Sequence, residues 1–273
     1  MTPFSGEILG TMLLILLGDG TVANVVLNKS KAYGSGWIVI ATGWGMAVFV
    51  GAYTVAKVSG AHLNPAVTLA MAMTGKLPWD SVPTYIAAQM IGAFLGAVLV
   101  WLTFLPHWAE TSDAATKLAV FCTAPAIRRP WANLLTEIIG TFVLIIGIFG
   151  AKDALLQPPV SPVEQEVRVA NAGTDVVTQP AAVPILKMGA LGVVPVAFLV
   201  WVIGLALGGP TGYAINPARD LGPRIAHALL ALFADVGKVG KGGSDWGYAW
   251  VPVVGPLIGA ALTAWLYLAL GKF

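Results

Sequence analysis

The sequence predicts an all-α membrane protein with six spanning helices and two re-entrant half-helices arranged as an inverted repeat. Three observations carry this expectation: six apolar runs of about spanning length, a segment of the first half echoed in the second, and an Asn-Pro-Ala triplet in each half. Composition sets the solvent. Apolar residues fill 57% of the 273 positions and charged residues only 10%, against about 25% charged in soluble domains, so lipid is expected around the chain.

The apolar runs are Ile8–Leu27, Trp37–Ala56, Tyr85–Leu105, Leu134–Ala151, Met188–Leu207 and Ala249–Leu270. Each is close to the ~20 residues that cross a hydrocarbon core. Met1–Ile8 holds no Lys or Arg, so the first run lacks the basic region of a secretory signal and is expected to remain as a span. Glycines four apart, Gly92 with Gly96 and Gly255 with Gly259, are expected to let helix backbones approach closely in lipid. Pro195 is expected to kink the fifth span. The connection Asn28–Gly36 is short, Pro106–Pro130 is longer, and Lys152–Pro184 is a long surface loop with gating as a minor alternative. Lys and Arg are spread evenly between the loops, so charge does not set the orientation.

Glu7-Ile-Leu-Gly-Thr-Met-Leu-Leu-Ile is repeated as Glu137-Ile-Ile-Gly-Thr-Phe-Val-Leu-Ile. The chain therefore reads as a single channel domain of two halves, about 1–106 and 131–273. An odd number of spans per half makes the second copy enter from the opposite side, which places a site near the bilayer midplane.

Each half carries the pattern Gly-x-x-Leu/Ile-Asn-Pro-Ala, in Gly60 to Ala66 and in Gly212 to Ala218. Asn is a favoured helix cap, and Pro at the first helical position loses nothing by lacking an N–H. Asn64-Pro65-Ala66 and Asn216-Pro217-Ala218 are thus expected to open helices. After Pro65 the apolar pattern stops before Gly75, at about half a bilayer's thickness. Two such half-helices meeting N-terminus to N-terminus would leave irregular backbone at 59–63 and 210–215, tolerable in a membrane where it lines a wet path. The carbonyls of Gly60, Ala61, His62, Tyr213 and Ala214 then form a ladder of acceptors opposite the Asn64 and Asn216 amides. The helix termini also oppose cations at the centre.

These residues resemble the aquaporin superfamily over nearly the whole chain. Asn216-Pro-Ala-Arg219-Asp220, with Ser59-Gly-Ala-His-Leu-Asn-Pro-Ala66, resembles its glycerol-facilitator branch. The resemblance implies six tilted helices and two half-helices per pore, a homotetramer in the plasma membrane, and a constriction of Trp44, Gly204, Tyr213 and Arg219. Gly204 stands where a water-selective pore carries a bulky His, so a wider opening is expected. Tyr213 departs from the branch, which more often has Phe. By resemblance, Glu7 and Glu137 brace the re-entrant loops, and Asp220 is counted with them as loop support; an ion pair between Arg219 and Asp220 is an alternative. Asp19 and Asn24 are expected to reach interfacial water.

The expected function is passive diffusion of glycerol and other small neutral solutes, with water, excluding ions and protons. Alternatives are a water-selective pore, a pore tuned by Tyr213 to dihydroxyacetone, urea or undissociated small acids, and a coupled secondary transporter. Enzyme motifs such as Gly-x-Ser-x-Gly, His-Glu-x-x-His and a Walker loop are absent from the sequence, and no cofactor is expected. The net charge of +2 comes from scattered residues and suggests no nucleic-acid face. His62 has no second His at ligand spacing, so no metal is expected. The single cysteine, Cys122, excludes an intrachain disulfide and reads as a small apolar filler.

Overall fold

The computed structural model describes residues 1–153, 192–233 and 242–271, and the secondary structure among these residues is helical. In chain order the helices are α1 (Pro3–Val26), α2 (Trp37–Ser59), α3 (Pro65–Met73), α4 (Val82–Thr103), α5 (Leu105–Glu110), α6 (Ala114–Phe121), α7 (Pro130–Asp153), α8 (Val194–Leu207), α9 (Pro217–Phe233) and α10 (Val251–Ala269). Five of them, α1, α2, α4, α7 and α10, are long and apolar enough to cross a membrane. The described part of the fifth span, α8, has 14 residues. The segment from Met188 to Leu191, and the Lys152–Pro184 loop beyond Asp153, lie outside the described residues.

Local chemistry moves several boundaries. α1 starts five residues before the expected Ile8, because Thr2 accepts from Ser5 N–H in a capping box and Pro3 supplies the first helical position. α2 runs on to Ser59 and ends at Gly60, whose φ of 77° suits a residue without a Cβ. Pro195 falls in the first turn of α8, where its missing N–H frees no carbonyl, so it does not kink the described helix. The connection between the halves also holds structure that its weak periodicity concealed, α5 and α6, the latter capped by Asp113 on Thr116 N–H. The Thr116 hydroxyl, which also donates to this carboxylate, and then the Thr116 N–H hold the exposed Asp113 carboxyl below its ordinary pKa.

The two half-helices differ in length. α3 has 9 residues, about 14 Å at 1.5 Å per residue, whereas α9 has 17 and continues through Pro223.

The packing is paired. α1 lies against α2 and α4, and α7 lies against α8 and α10. Each half-helix crosses to the other half, α3 onto α10 and α9 onto α4, while α2 meets α8. Close approach depends on glycine. A Cβ on Gly92 would lie 2.4 Å from the Ile8 carbonyl, and one on Gly259 would lie 2.5 Å from the Ile138 carbonyl. These are equivalent contacts, α4 on α1 and α10 on α7, and neither main chain can yield as a flexible side chain would.

Polarity is inverted relative to a water-soluble protein. Leu17, Ile38, Leu135, Phe198, Leu262 and Trp265 face outward, while Glu7, Asp19, Gln89, Glu137, Arg219 and Asp220 are buried. Such an arrangement is stable only where the outer solvent is apolar and the inner polar groups have partners. Gly92→Val and Gly259→Val are each expected to cost on the order of 1–3 kcal/mol through overpacking, read as a lower unfolding midpoint in detergent. An unchanged midpoint would mean that the helix pairs separate without penalty.

Candidate pore and selectivity site

The site is built from two equivalent hydrogen-bonded loops. Glu7 on α1 accepts from Ser59 Oγ at 2.5 Å and His62 N–H at 3.0 Å through Oε1. Its Oε2 accepts from Leu63 N–H at 2.7 Å and Gln89 Nε2 at 2.8 Å. Glu137 on α7 repeats the arrangement with Thr211 Oγ1 at 2.7 Å, Ala214 N–H at 3.0 Å and Ile215 N–H at 2.8 Å. Both carboxylates are almost wholly buried. Charge-assisted bonds to backbone N–H groups let them stay there.

Those bonds also aim the carbonyls. In a trans peptide the N–H and the preceding C=O point in opposite directions. When the His62 and Leu63 N–H groups turn toward Glu7, the Ala61 and His62 carbonyls turn away from it. Ala61 N–H, held by Ser59 Oγ at 3.1 Å, does the same for Gly60. In the other loop, the bonds of Ala214 and Ile215 to Glu137 turn out the carbonyls of Tyr213 and Ala214. No hydrogen bond from a described residue reaches the carbonyls of Gly60, Ala61, Tyr213 or Ala214. The backbone achieves this with left-handed residues at Ala61, Leu63, Tyr213 and Ile215, whose φ values are 51°, 51°, 38° and 42°. Outside glycine that conformation costs roughly 1–2 kcal/mol per residue, so the glutamate bonds must hold it. Gly10 and Gly140, each three residues after its glutamate, leave the space taken by Leu63 and Ile215.

The triplets meet at the centre. Asn64 Oδ1 accepts from Ala66 N–H at 2.8 Å, and Asn216 Oδ1 accepts from Ala218 N–H at 3.0 Å, so both act as helix caps behind Pro65 and Pro217. Each amide nitrogen donates across to the opposite loop, Asn64 Nδ2 to the Ile215 carbonyl at 2.9 Å and Asn216 Nδ2 to the Leu63 carbonyl at 2.8 Å. An amide has two N–H groups, so one on each asparagine is left for the path.

Two adjoining cavities follow this path. The larger, about 120 Å³, is lined by Gly60, Ala61, His62, Leu63 and both asparagines. The smaller, about 50 Å³, runs from the asparagines to Trp44, Tyr213 and Arg219. Both exceed the ~10–15 Å³ that seats one water. Val48, Leu144 and Val200 line both, so apolar side chains share the lining with the polar backbone of the re-entrant loops.

Trp44, Gly204, Tyr213 and Arg219, the four residues that the resemblance sets at a constriction, lie close together. The Arg219 guanidinium carbon lies 3.8 Å from the Trp44 ring centroid, a stacked cation–π contact. A Cβ on Gly204 would lie 2.7 Å from the Tyr213 ring and hydroxyl, so the room left by Gly204 is occupied by that ring. Trp37 fixes the corner by donating Nε1–H to the Gly204 carbonyl at 2.8 Å and meeting the Tyr213 ring edge-on.

Asp220 does not pair with Arg219. It accepts from Thr123 N–H at 2.8 Å and Oγ1 at 2.7 Å and from Arg224 Nε at 2.8 Å, while Arg224 also donates to the Ser244 and Asp245 carbonyls. Asp220 thus braces the chain around Thr123 and 244–245, not a triplet loop. Arg219 pairs with Asp19, at 3.0 Å. The expectation that Asp19 reaches water fails, since it is completely buried; the α1 face that carries it turns inward to the arginine. His62 packs its ring against Tyr85 and hydrogen-bonds Thr68. Sequence reading also passed over Ser59 and Thr211, which stand at the same position five residues before each Asn, and Gln89.

The sequence matches the family model described as Major intrinsic protein over residues 2–164 and 177–267. The chain belongs to the major intrinsic protein family. This major intrinsic protein is 53% identical over 267 residues to a probable glycerol uptake facilitator protein of Thermotoga maritima, with 98% of each chain covered. It is 49% identical over 272 residues to a glycerol uptake facilitator protein of Bacillus subtilis, covering 100% of this chain and 86% of that one. The X-ray structure of the aquaglyceroporin from Plasmodium falciparum matches with a TM-score of 0.72 at 28% identity, covering 97% of this chain and 93% of that one. The expected superfamily, its glycerol branch and the all-helical multi-pass membrane fold are thereby borne out.

Glu7→Gln and Glu137→Gln each put an NH₂ group where a carboxylate oxygen now accepts a backbone N–H. Each is expected to lose about 1–3 kcal/mol per donor left unsatisfied and to abolish solute flux in reconstituted vesicles. Full flux through either variant would show that the loops hold their shape without the carboxylate.

Proposed function

We propose that this chain is a passive channel of the plasma membrane that carries glycerol, other small neutral solutes and water, and excludes ions and protons. The single observation that carries the reading is the mixed lining of the smaller cavity. Trp44 and the Tyr213 ring present apolar surface there, while Arg219 and the loop carbonyls present hydrogen-bonding groups. A polyol has matching sides, a carbon skeleton and a row of hydroxyls that both donate and accept. Its hydroxyls exchange water for the donors of Arg219 and of the two asparagines and for the acceptors of 60–62 and 213–214. The names of the Thermotoga and Bacillus relatives support glycerol as the passenger.

Ions meet a different balance. The N-termini of α3 and α9 face each other at the centre and oppose cations, and the crossed asparagine amides interrupt a continuous water wire with fixed donors. Conduction of this kind forms and breaks no covalent bond, so neither an enzymatic step nor a cofactor enters the proposal. The outward apolar faces are assigned to lipid and to neighbouring copies in a homotetramer, each protomer with its own pore formed by its two halves.

Purified protein in liposomes is expected to admit glycerol faster than protein-free vesicles, followed by light scattering under a glycerol gradient. Fast water flow with glycerol entry no faster than the blank would overturn the glycerol reading in favour of a water pore. The Tyr213 hydroxyl is buried and has no hydrogen-bond partner among the described residues. Tyr213→Phe is therefore expected to keep glycerol entry within about twofold and to raise stability by about 1 kcal/mol. A large loss of glycerol entry would instead place the hydroxyl in contact with the solute.

A further inference from the structure

Asp19 is a buried charge beside the cavity-lining Arg219 that the proposed function does not use. It lies on α1 between Gly18 and Gly20, is fully buried, and receives Arg219 Nη1–H at 3.0 Å through Oδ1. Its Oδ2 has no hydrogen-bond partner among the described residues. Gly18, next to it, is the seat of Trp44: a Cβ there would lie 2.3 Å from the indole. One dipeptide of α1 therefore supports both members of the Trp44–Arg219 stack, the indole on Gly18 and the guanidinium on Asp19.

The arrangement is not part of the scaffold that the two halves share. The repeat aligns Glu7 with Glu137, and the same offset places Phe149 opposite Asp19. Phe149 is buried and packs on Tyr267, so the second half carries an apolar contact at this position. The neighbouring carboxylate, Asp220, is occupied by Arg224 and Thr123. Asp19 is thus the one acidic partner of Arg219 among the described residues.

We propose that Asp19 is a specificity-determining residue that cancels the charge of Arg219, so that the narrowest part of the path offers hydrogen-bond donors without a net positive field. An uncompensated guanidinium in a low-dielectric slot would attract anions, and its field would fall off slowly with distance. Paired with a carboxylate at 3.0 Å, it presents a dipole whose field fades within a few ångströms, while its other N–H groups remain for a solute hydroxyl. Neutral polyols then pass without competition from small anions. Cation exclusion, in turn, rests on the half-helix termini.

This inference rests on the reading of the path as a channel for neutral solutes, and its test separates the two. Wild type, Asp19→Asn and Asp19→Glu would be reconstituted in liposomes and given potassium nitrate with valinomycin, so that nitrate entry limits swelling; glycerol entry would be measured in parallel. Asp19→Asn is expected to raise nitrate entry on the order of tenfold, and Asp19→Glu, which keeps the charge, to stay near wild type. Nitrate entry at or below wild type in Asp19→Asn, or an equal rise in both variants, would overturn the proposal. If Asp19→Asn does not fold, the double variant Asp19→Asn/Arg219→Gln removes both charges together. It is expected to fold and to keep nitrate entry low, and failure on either count would overturn the proposal. A wild type that admits no glycerol would overturn the functional reading alone, because the nitrate comparison still decides the role of the charge.

Discussion

Two buried carboxylates fix the shape of the loops that line this structure's cavities. Glu7 and Glu137 collect the N–H groups of chain segments that enter the membrane without forming a helix, and in hydrocarbon those groups have no other strong acceptor. Because a peptide's two polar groups point oppositely, satisfying the donors on one side presents the acceptors on the other. The left-handed residues, the aimed carbonyls and the placement of both triplets all follow from that choice of partner. Each carboxylate also takes a hydroxyl, Ser59 or Thr211, that steadies a further N–H of the same loop.

Around this centre the halves agree closely in scaffold and differ around Trp44, Tyr213 and Arg219. Equivalent glycines bring α4 onto α1 and α10 onto α7, and equivalent asparagines cap α3 and α9. The departures cluster on one side of the midplane. Among the described residues Trp44, Tyr213 and Arg219 have no matching set in the larger cavity, where Val67, Val193 and Val196 line the wall. A pseudo-symmetric frame therefore carries one chemically distinct segment, and its residues come from α2, the second re-entrant loop and α9, with Asp19 of α1 behind them.

Much of this was legible in the sequence because hydropathy and repetition are local signals. The apolar runs, the Glu7/Glu137 echo and the twin triplets can each be read without knowing what touches what. The constriction came from resemblance, since Trp44 and Arg219 lie 175 positions apart and nothing in periodicity joins them. What escaped was pairing. Arg219 has an acidic neighbour in sequence, Asp220, but successive helical side chains point in different directions, so Asp220 turns to Arg224 one turn on and Arg219 turns to Asp19. Asp19 looked like a helix-end group because it stands late in its run, yet an ionisable residue flanked by glycines in an apolar helix was itself a signal for an inward partner. The room at Gly204 was read as open space, when a ring nine residues later fills it.

The crossed asparagine bonds bear on how such a protein comes to exist. Asn64 gives its amide to a carbonyl 151 residues later, and the Leu63 carbonyl waits for a donor 153 residues later. During synthesis the first re-entrant loop must therefore wait, its central carbonyl without its native donor, until three more spans and the second loop have been made. A path assembled this way has no half-built form with the native centre: closure of the midplane is a late event of insertion, and it joins the first half to the last.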